Sequence, residues 1–207
     1  MAKIITLGEI MMRLQPQGYQ RIMQASSFDI VFGGGEANVA VSLAQYGEDV
    51  AFVTKLPANV LGDKCVRELK GWGVDTSKIV RGGNRIGIYF CEKGCSQRSS
   101  NVIYDRAGSA IAEVGENDFD IEKMLDGAKW LHWTGITPAI SDNMAEVTAK
   151  ILKVAKQKGI TVSCDLNYRK KLWSKQKANQ VMSELVKYVD VLISNEEDSK
   201  DVFGIEV

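Results

Sequence analysis

The sequence predicts an α/β fold: a mainly parallel sheet flanked by helices, with a small β-sheet lid beside it. Three observations carry that expectation. Short β-branched, apolar runs alternate with segments whose apolar residues recur at helical spacing, the rhythm of a parallel sheet covered by helices. Two strand-like runs, 86–92 and 100–106, interrupt that rhythm around the turn-like Lys93-Gly94-Cys95-Ser96. A triple-glycine loop, Gly33-Gly34-Gly35, runs directly into the helical pattern of Val39, Ala40, Leu43 and Ala44.

Taken in order, Lys3 to Leu7 reads as a buried first strand closed by Gly8-Glu9. Residues 10–32 hold two candidate strands around Pro16 and Gly18, and they are expected to supply further strands of the lid. Gly47 stops the first helix, and Val50 to Thr54 is again a buried strand. Apolar positions 61, 65, 66, 69 and 72 give a helical face that Gly73 ends. Beyond the lid strands, which are placed within about 84–107, Lys129 to Thr134 is a strand. Ser141 then caps a helix whose apolar face holds Met144, Val147, Ile151, Leu152 and Ala155. After Gly159 come a strand to Asp165, a helix from about Lys175 to Val186, and a strand from Val189 to Ile193.

Composition narrows the function. With 207 residues, 45% hydrophobic and three prolines, the chain is long enough for a sizeable core. Basic and acidic residues balance at 26 each, so nothing suggests a nucleic-acid or anionic-membrane partner. Glu9 and Arg13 interrupt the N-terminal run before it reaches the length of a signal peptide or membrane span, which points to a cytoplasmic protein. Four cysteines without a C-x-x-C pair, and a single histidine, argue against a zinc site or a His-dependent triad. His132, between Leu131 and Trp133, reads as a satisfied core histidine.

Three glycines strip Cβ atoms from the loop, so that its backbone N–H groups can approach a ligand, and the following helix N-terminus adds free donors. Asn38 offers an amide towards paired hydroxyls. A Walker A loop is excluded by the missing Lys. A dinucleotide fingerprint is disfavoured because Asn38 stands where its third glycine would be. A sugar or similar polyol is the expected ligand, and a purely structural turn is the alternative. Further chemistry gathers at strand ends. Asp165-Leu166-Asn167-Tyr168-Arg169 combines a carboxylate, an amide and a guanidinium, or is a solvated loop. Asn195-Glu196-Glu197-Asp198 suits waters around Mg²⁺ or helix capping. On the lid, alternation puts Tyr104 and Arg106 on one face, with Tyr89 a third candidate.

These stretches together resemble the ribokinase/PfkB carbohydrate kinases, most closely the 2-keto-3-deoxygluconate kinases. The resemblance rests on Gly33 to Asn38, Arg106 to Ala110, His132 to Pro138, Asp165 to Arg169 with Leu172-Trp173-Ser174, and Asn195 to Asp198. It implies a ribokinase-like fold, use of ATP and Mg²⁺, and a small sugar acid as substrate. It also implies homo-oligomers paired through the lid. The implied substrate residues are Gly34, Gly35, Glu36, Ala37, Asn38, Tyr89, Tyr104, Asp105, Arg106 and Arg169. Asn167, Arg169 and Asn195 fall at nucleotide-binding positions, and Asp198 would touch the metal through water. Two arginines suit a carboxylate, which accepts charge-assisted hydrogen bonds.

The sequence departs from the family pattern in two ways. Its Asn-x-x-Glu motif ends here in Asp198. The family also continues for roughly another hundred residues, a domain-sized part that carries the Gly-Ala-Gly-Asp base and anion hole. The only Gly-Asp here is Gly62-Asp63, ahead of the second helical face. Residues 1–207 therefore read as the N-terminal, sugar-binding part, with the catalytic base expected outside them.

Overall fold

The computed structural model describes residues 2–206. β1 (Ile4–Leu7) leads straight into the lid strand β2 (Met11–Pro16), and β3 (Phe28–Gly33) returns to α1 (Gly35–Gln45). β4 (Val50–Val53), the short β5 (Lys55–Leu56), α2 (Val60–Gly71) and β6 (Val80–Arg81) follow. The lid is completed by β7 (Ile88–Glu92) and β8 (Asn101–Asp105). The chain then runs through α3 (Ile121–Met124), β9 (Trp130–Thr134), α4 (Ile136–Ala139), α5 (Asp142–Gln157) and β10 (Thr161–Asp165). It closes with α6 (Lys175–Leu185), β11 (Val191–Ile193) and α7 (Glu196–Phe203).

The main sheet has the order β11-β10-β9-β1-β4, and every pairing in it is parallel. Its strands are buried on both faces, which is why they read as continuous apolar runs rather than alternating ones. β4 shows how one strand serves two cores: Val50 and Phe52 pack with Ala40, Cys65 and Leu69, while Ala51 and Val53 point to the α5 side. Ser141, as expected, accepts from the Met144 N–H to start α5, and its buried face holds Met144, Val147, Ile151, Leu152 and Ala155. Gly73 and Gly159 follow α2 and α5 with φ of +86° and +69°, a region where L side chains are strained.

The lid is a separate four-stranded sheet of order β3-β2-β7-β8. β3 pairs antiparallel with β2, and β8 antiparallel with β7, as the two inserts suggested. The pairing that joins the halves, β2 with β7, is parallel and was not legible locally. β11 is the edge strand of the main sheet, with Val191, Leu192 and Ile193 exposed by 41%, 44% and 52%. No helix among the described residues is long and apolar enough to cross a membrane.

Candidate substrate site

A parallel sheet puts the C-terminal ends of all its strands on one edge. Here that edge gathers Gly8-Glu9 after β1, Thr134-Gly135 after β9, Asp165 to Arg169 after β10, and Ser194-Asn195 after β11. The glycine loop joins this edge by direct contact. A Cβ on Gly34 would lie 2.0 Å from the Glu9 carbonyl oxygen, whereas one on Gly35 would meet only the Thr134 Cγ2, at 3.6 Å. Gly34 is thus glycine because the loop is pressed onto the backbone beside it. Gly35 has no such close neighbour, and a Cβ there would make only ordinary contact with Thr134.

Beneath the loop lies a buried carboxylate. Glu36 is 1% exposed, and its Oε1 accepts from the hydroxyls of Thr134 (2.7 Å) and Thr137 (2.6 Å). Glu36 therefore does not line the cleft; it fastens the start of α1 to the end of β9. Ala37 is likewise turned away, packed in the core beside Ala40 and Phe52. Both follow from the helix, whose first turn sends successive side chains in different directions. Asn38 alone of this turn is exposed.

Glu9, 3% exposed, pairs with the Arg106 guanidinium and faces the Ser109 hydroxyl at 3.4 Å. Burial pushes both Glu9 and Glu36 above the ordinary carboxylate range. For Glu9 the Arg106 charge opposes that rise and the Glu36 charge adds to it.

The lid contributes one coherent face. Val31, Arg13, Tyr89 and Tyr104 stand side by side on β3, β2, β7 and β8. The Tyr89 and Tyr104 rings are 5.9 Å apart, and the Tyr89 hydroxyl would be 3.4 Å from a Cβ on Gly33, so this face meets the glycine loop. Tyr104 lies between two cations, the Arg106 guanidinium at 5.3 Å and Lys171 Nζ at 5.7 Å from its centroid. Asp105 does not join them. One residue along a strand it points the other way, and Arg85 holds it from the opposite side at 2.8 Å.

At the far strand ends, Asn167 sits at φ +39° and donates to Asp165 Oδ2 at 3.4 Å. Arg169 is exposed, with no carboxylate in ion-pair range among the described residues. The Asn195 side chain caps α7 by accepting from the Asp198 N–H at 2.7 Å, and Asp198 Oδ2 accepts from the Tyr168 N–H at 3.0 Å. Those contacts are the capping arrangement; they leave the Asn195 amide N–H₂ and the second Asp198 oxygen free of hydrogen bonds to the described residues. No cluster of three or more His, Cys, Asp or Glu close enough to hold a metal directly occurs among the described residues. His132 is 8% exposed with Nδ1 2.9 Å from the Ser163 hydroxyl, and burial lowers its pKa.

The structure thus links the glycine loop, Tyr89, Tyr104 and Arg106 through direct contacts, leaves Asn38 and Arg169 exposed, and turns the side chains of Glu36, Ala37 and Asp105 elsewhere. It also adds Glu9, Thr134, Thr137, Lys171 and Arg13, which sequence reasoning did not single out. Two of them carried a signal: Glu9 is a charge directly after a buried strand, and Arg13 a charge inside an apolar strand-like run.

The comparisons agree with this architecture. A family profile described as pfkB family carbohydrate kinase matches residues 1–206. The crystal structure of a 2-dehydro-3-deoxygluconokinase from Thermotoga maritima superposes with a TM-score of 0.98 at 56% identity, over 100% of this chain and 64% of that one. The 2-dehydro-3-deoxygalactonokinase of Haloferax volcanii is 37% identical over 99% of this chain and 64% of its own length. A Pyrococcus horikoshii sugar kinase solved in complex with ATP shares the fold, with a TM-score of 0.85 at 24% identity, over 99% of this chain and 67% of that one. The chain therefore spans under two thirds of the curated relative it matches.

Proposed function

Because this chain belongs to the pfkB family of carbohydrate kinases, we propose that it forms the sugar-binding part of a kinase for 2-keto-3-deoxygluconate, also called 2-dehydro-3-deoxygluconate. The reaction is transfer of the terminal phosphoryl group of ATP to the sugar acid's 6-hydroxyl. The observation that carries this reading is the cleft itself: Tyr89 and Tyr104 of the lid, with the cations around Tyr104, meet a glycine loop in which Gly35 has no close neighbour. Arg169, free of an acid, suits an anionic group of the bound ligands, and Asn38 suits the sugar's hydroxyls. Phosphoryl transfer relies on positioning and electrostatics, and these residues supply the acceptor's position. Closure of the lid would exclude water from the cleft.

The nucleotide side fits the same edge. Asn167, Arg169 and the Asn195 amide offer donors suited to polyphosphate oxygens, and ATP when bound supplies the phosphoryl group. Asp198, with one oxygen free of protein contacts, would reach Mg²⁺ through water. A second reading, the galactonate epimer as substrate, is favoured by the name of the Haloferax relative. An ADP-release assay on the protein as its gene encodes it, with both epimers and with fructose, tests the proposal. Turnover of fructose equal to that of both acids would overturn it.

The two glycines separate packing from ligand approach. Gly34→Ala should destabilise the fold by about 1–3 kcal/mol, the range for a side chain forced into filled space. Gly35→Ala should melt like the wild type and yet bind the sugar acid more weakly. Unchanged affinity in Gly35→Ala would reduce the loop to a packed turn.

The other face of the lid suggests how copies associate. Ile30, Leu14, Phe90 and Ile103 form one row across its four strands, with Ile30 43% and Ile103 49% exposed. We expect two lids to cover these rows mutually. Sedimentation of the protein as its gene encodes it should show an Ile103→Lys variant as a monomer; an unaltered oligomer would place the interface elsewhere.

A further inference from the structure

Arg13 stands near the centre of the lid sheet, on β2 between β3 and β7. It is half-buried, and its Nε is shut off from solvent with no hydrogen-bond partner. Arg106 has its charge matched by Glu9 and Arg85 by Asp105, whereas Arg169, which also has no carboxylate in range among the described residues, is exposed to solvent. Arg13 has no carboxylate in ion-pair range among the described residues. Asp29, the acid of β3 on the same face, stands opposite Gln15 rather than opposite Arg13. A partly desolvated guanidinium with no carboxylate beside it carries a free-energy cost, which an anionic ligand relieves.

The surroundings say where that anion would sit. Arg13 is the register partner of Tyr89, whose hydroxyl reaches the Gly33 end of the glycine loop. Burial raises the Tyr89 pKa, and the adjacent Arg13 charge opposes that rise. Arg13 and the Gly33 end of the loop are therefore joined through Tyr89. We propose that Arg13 is a specificity-determining residue of the lid that binds the carboxylate of the acid sugar. Arg106, already neutralised by Glu9, then serves chiefly to position Tyr104. The inference rests on the acid-sugar reading above and fails with it.

Calorimetric titration of the protein as its gene encodes it, with 2-keto-3-deoxygluconate and with its neutral carboxamide, tests both. Wild type should bind the acid, and Arg13→Met should weaken that binding by about 10- to 150-fold, the range for a lost charged hydrogen bond. The affinity for the carboxamide should not change, and Arg13→Lys should recover part of the loss, because it keeps the charge without the planar fork. Wild-type affinity for the acid in a folded Arg13→Met protein would overturn the assignment while leaving the acid-sugar reading intact. Wild type that ignores the acid would overturn both. If Arg13→Met does not fold, Arg13→Lys decides: acid affinity equal to wild type, with carboxamide affinity also equal, overturns the assignment.

Discussion

The 207 residues alone should not turn over 2-keto-3-deoxygluconate and ATP at a measurable rate. A general base must lie within hydrogen-bond reach of the hydroxyl it deprotonates, and several acids near the cleft are already engaged. Glu9 is paired with Arg106, Glu36 is buried under two hydroxyls, Asp105 is held by Arg85, and Asp198 accepts from a backbone amide. Asp63, of the only Gly-Asp pair, lies within α2 rather than ahead of it and is paired with Arg81 of β6. Lack of a base typically lowers the rate by about 10²–10⁴-fold. Lack of a single anion-hole donor can lower it by a further ~10²–10³-fold. The isolated chain should also self-associate, since β11 offers an unpaired edge with three exposed apolar residues. An ADP-release assay and sedimentation on the purified 207-residue chain check both halves. Turnover near ~1 s⁻¹ would mean that one of these engaged carboxylates is released to act as the base.

Much of this architecture was legible because the relevant signals are local. The order of strands and helices followed from apolar runs, periodicity and caps such as Ser141. The lid followed from two interruptions of that order. Within the site, alternation correctly paired Tyr104 with Arg106 on one face, and the same alternation turns Asp105 to the other. The misplaced residues are those whose role depends on distant partners. Glu36 and Ala37 belong to a loop that looks like a ligand cradle, but whether a side chain faces the ligand or the core depends on Thr134, Thr137 and Gly8, far away in sequence. A Cβ on Gly8 would lie 2.2 Å from the Glu36 Cδ, so even the space that admits this carboxylate is set by another strand. Arg106 drew attention as a free cation because Glu9, nearly the whole lid away in sequence, gives no local sign of reaching it. The parallel β2–β7 pairing escaped for the same reason.

Glu36→Gln should stabilise the protein at pH 8 relative to pH 5, measured against the wild type at each pH. Burial raises the Glu36 pKa above its ordinary value of 4.5, and the hydroxyls of Thr137 and Thr134 only partly oppose that. A raised folded-state pKa means that the native protein binds the proton more readily than the unfolded chain. The corresponding stability is fully present below pH 4.5 and is lost as pH rises towards the folded-state value. Each unit of such a shift is worth about 1.4 kcal/mol. Glutamine keeps an oxygen for the two hydroxyls and carries no charge, so its advantage over glutamate should grow with pH. Removing the Glu36 charge also relieves Glu9, whose pKa it raises, and this acts in the same direction. Glu36→Ala differs because it strips the Thr134 hydroxyl of its acceptor, a loss of about 1–3 kcal/mol, whereas Thr137 can still donate to the Leu7 carbonyl, 3.3 Å away. At pH 5, where the charge matters least, alanine should therefore be clearly less stable than glutamine. Denaturant midpoints for the three proteins at the two pH values decide the matter. A Gln-minus-wild-type difference that stays flat from pH 5 to pH 8 would show that the Glu36 charge is not penalised by its burial, and that the latch between α1 and β9 works through an ionised carboxylate.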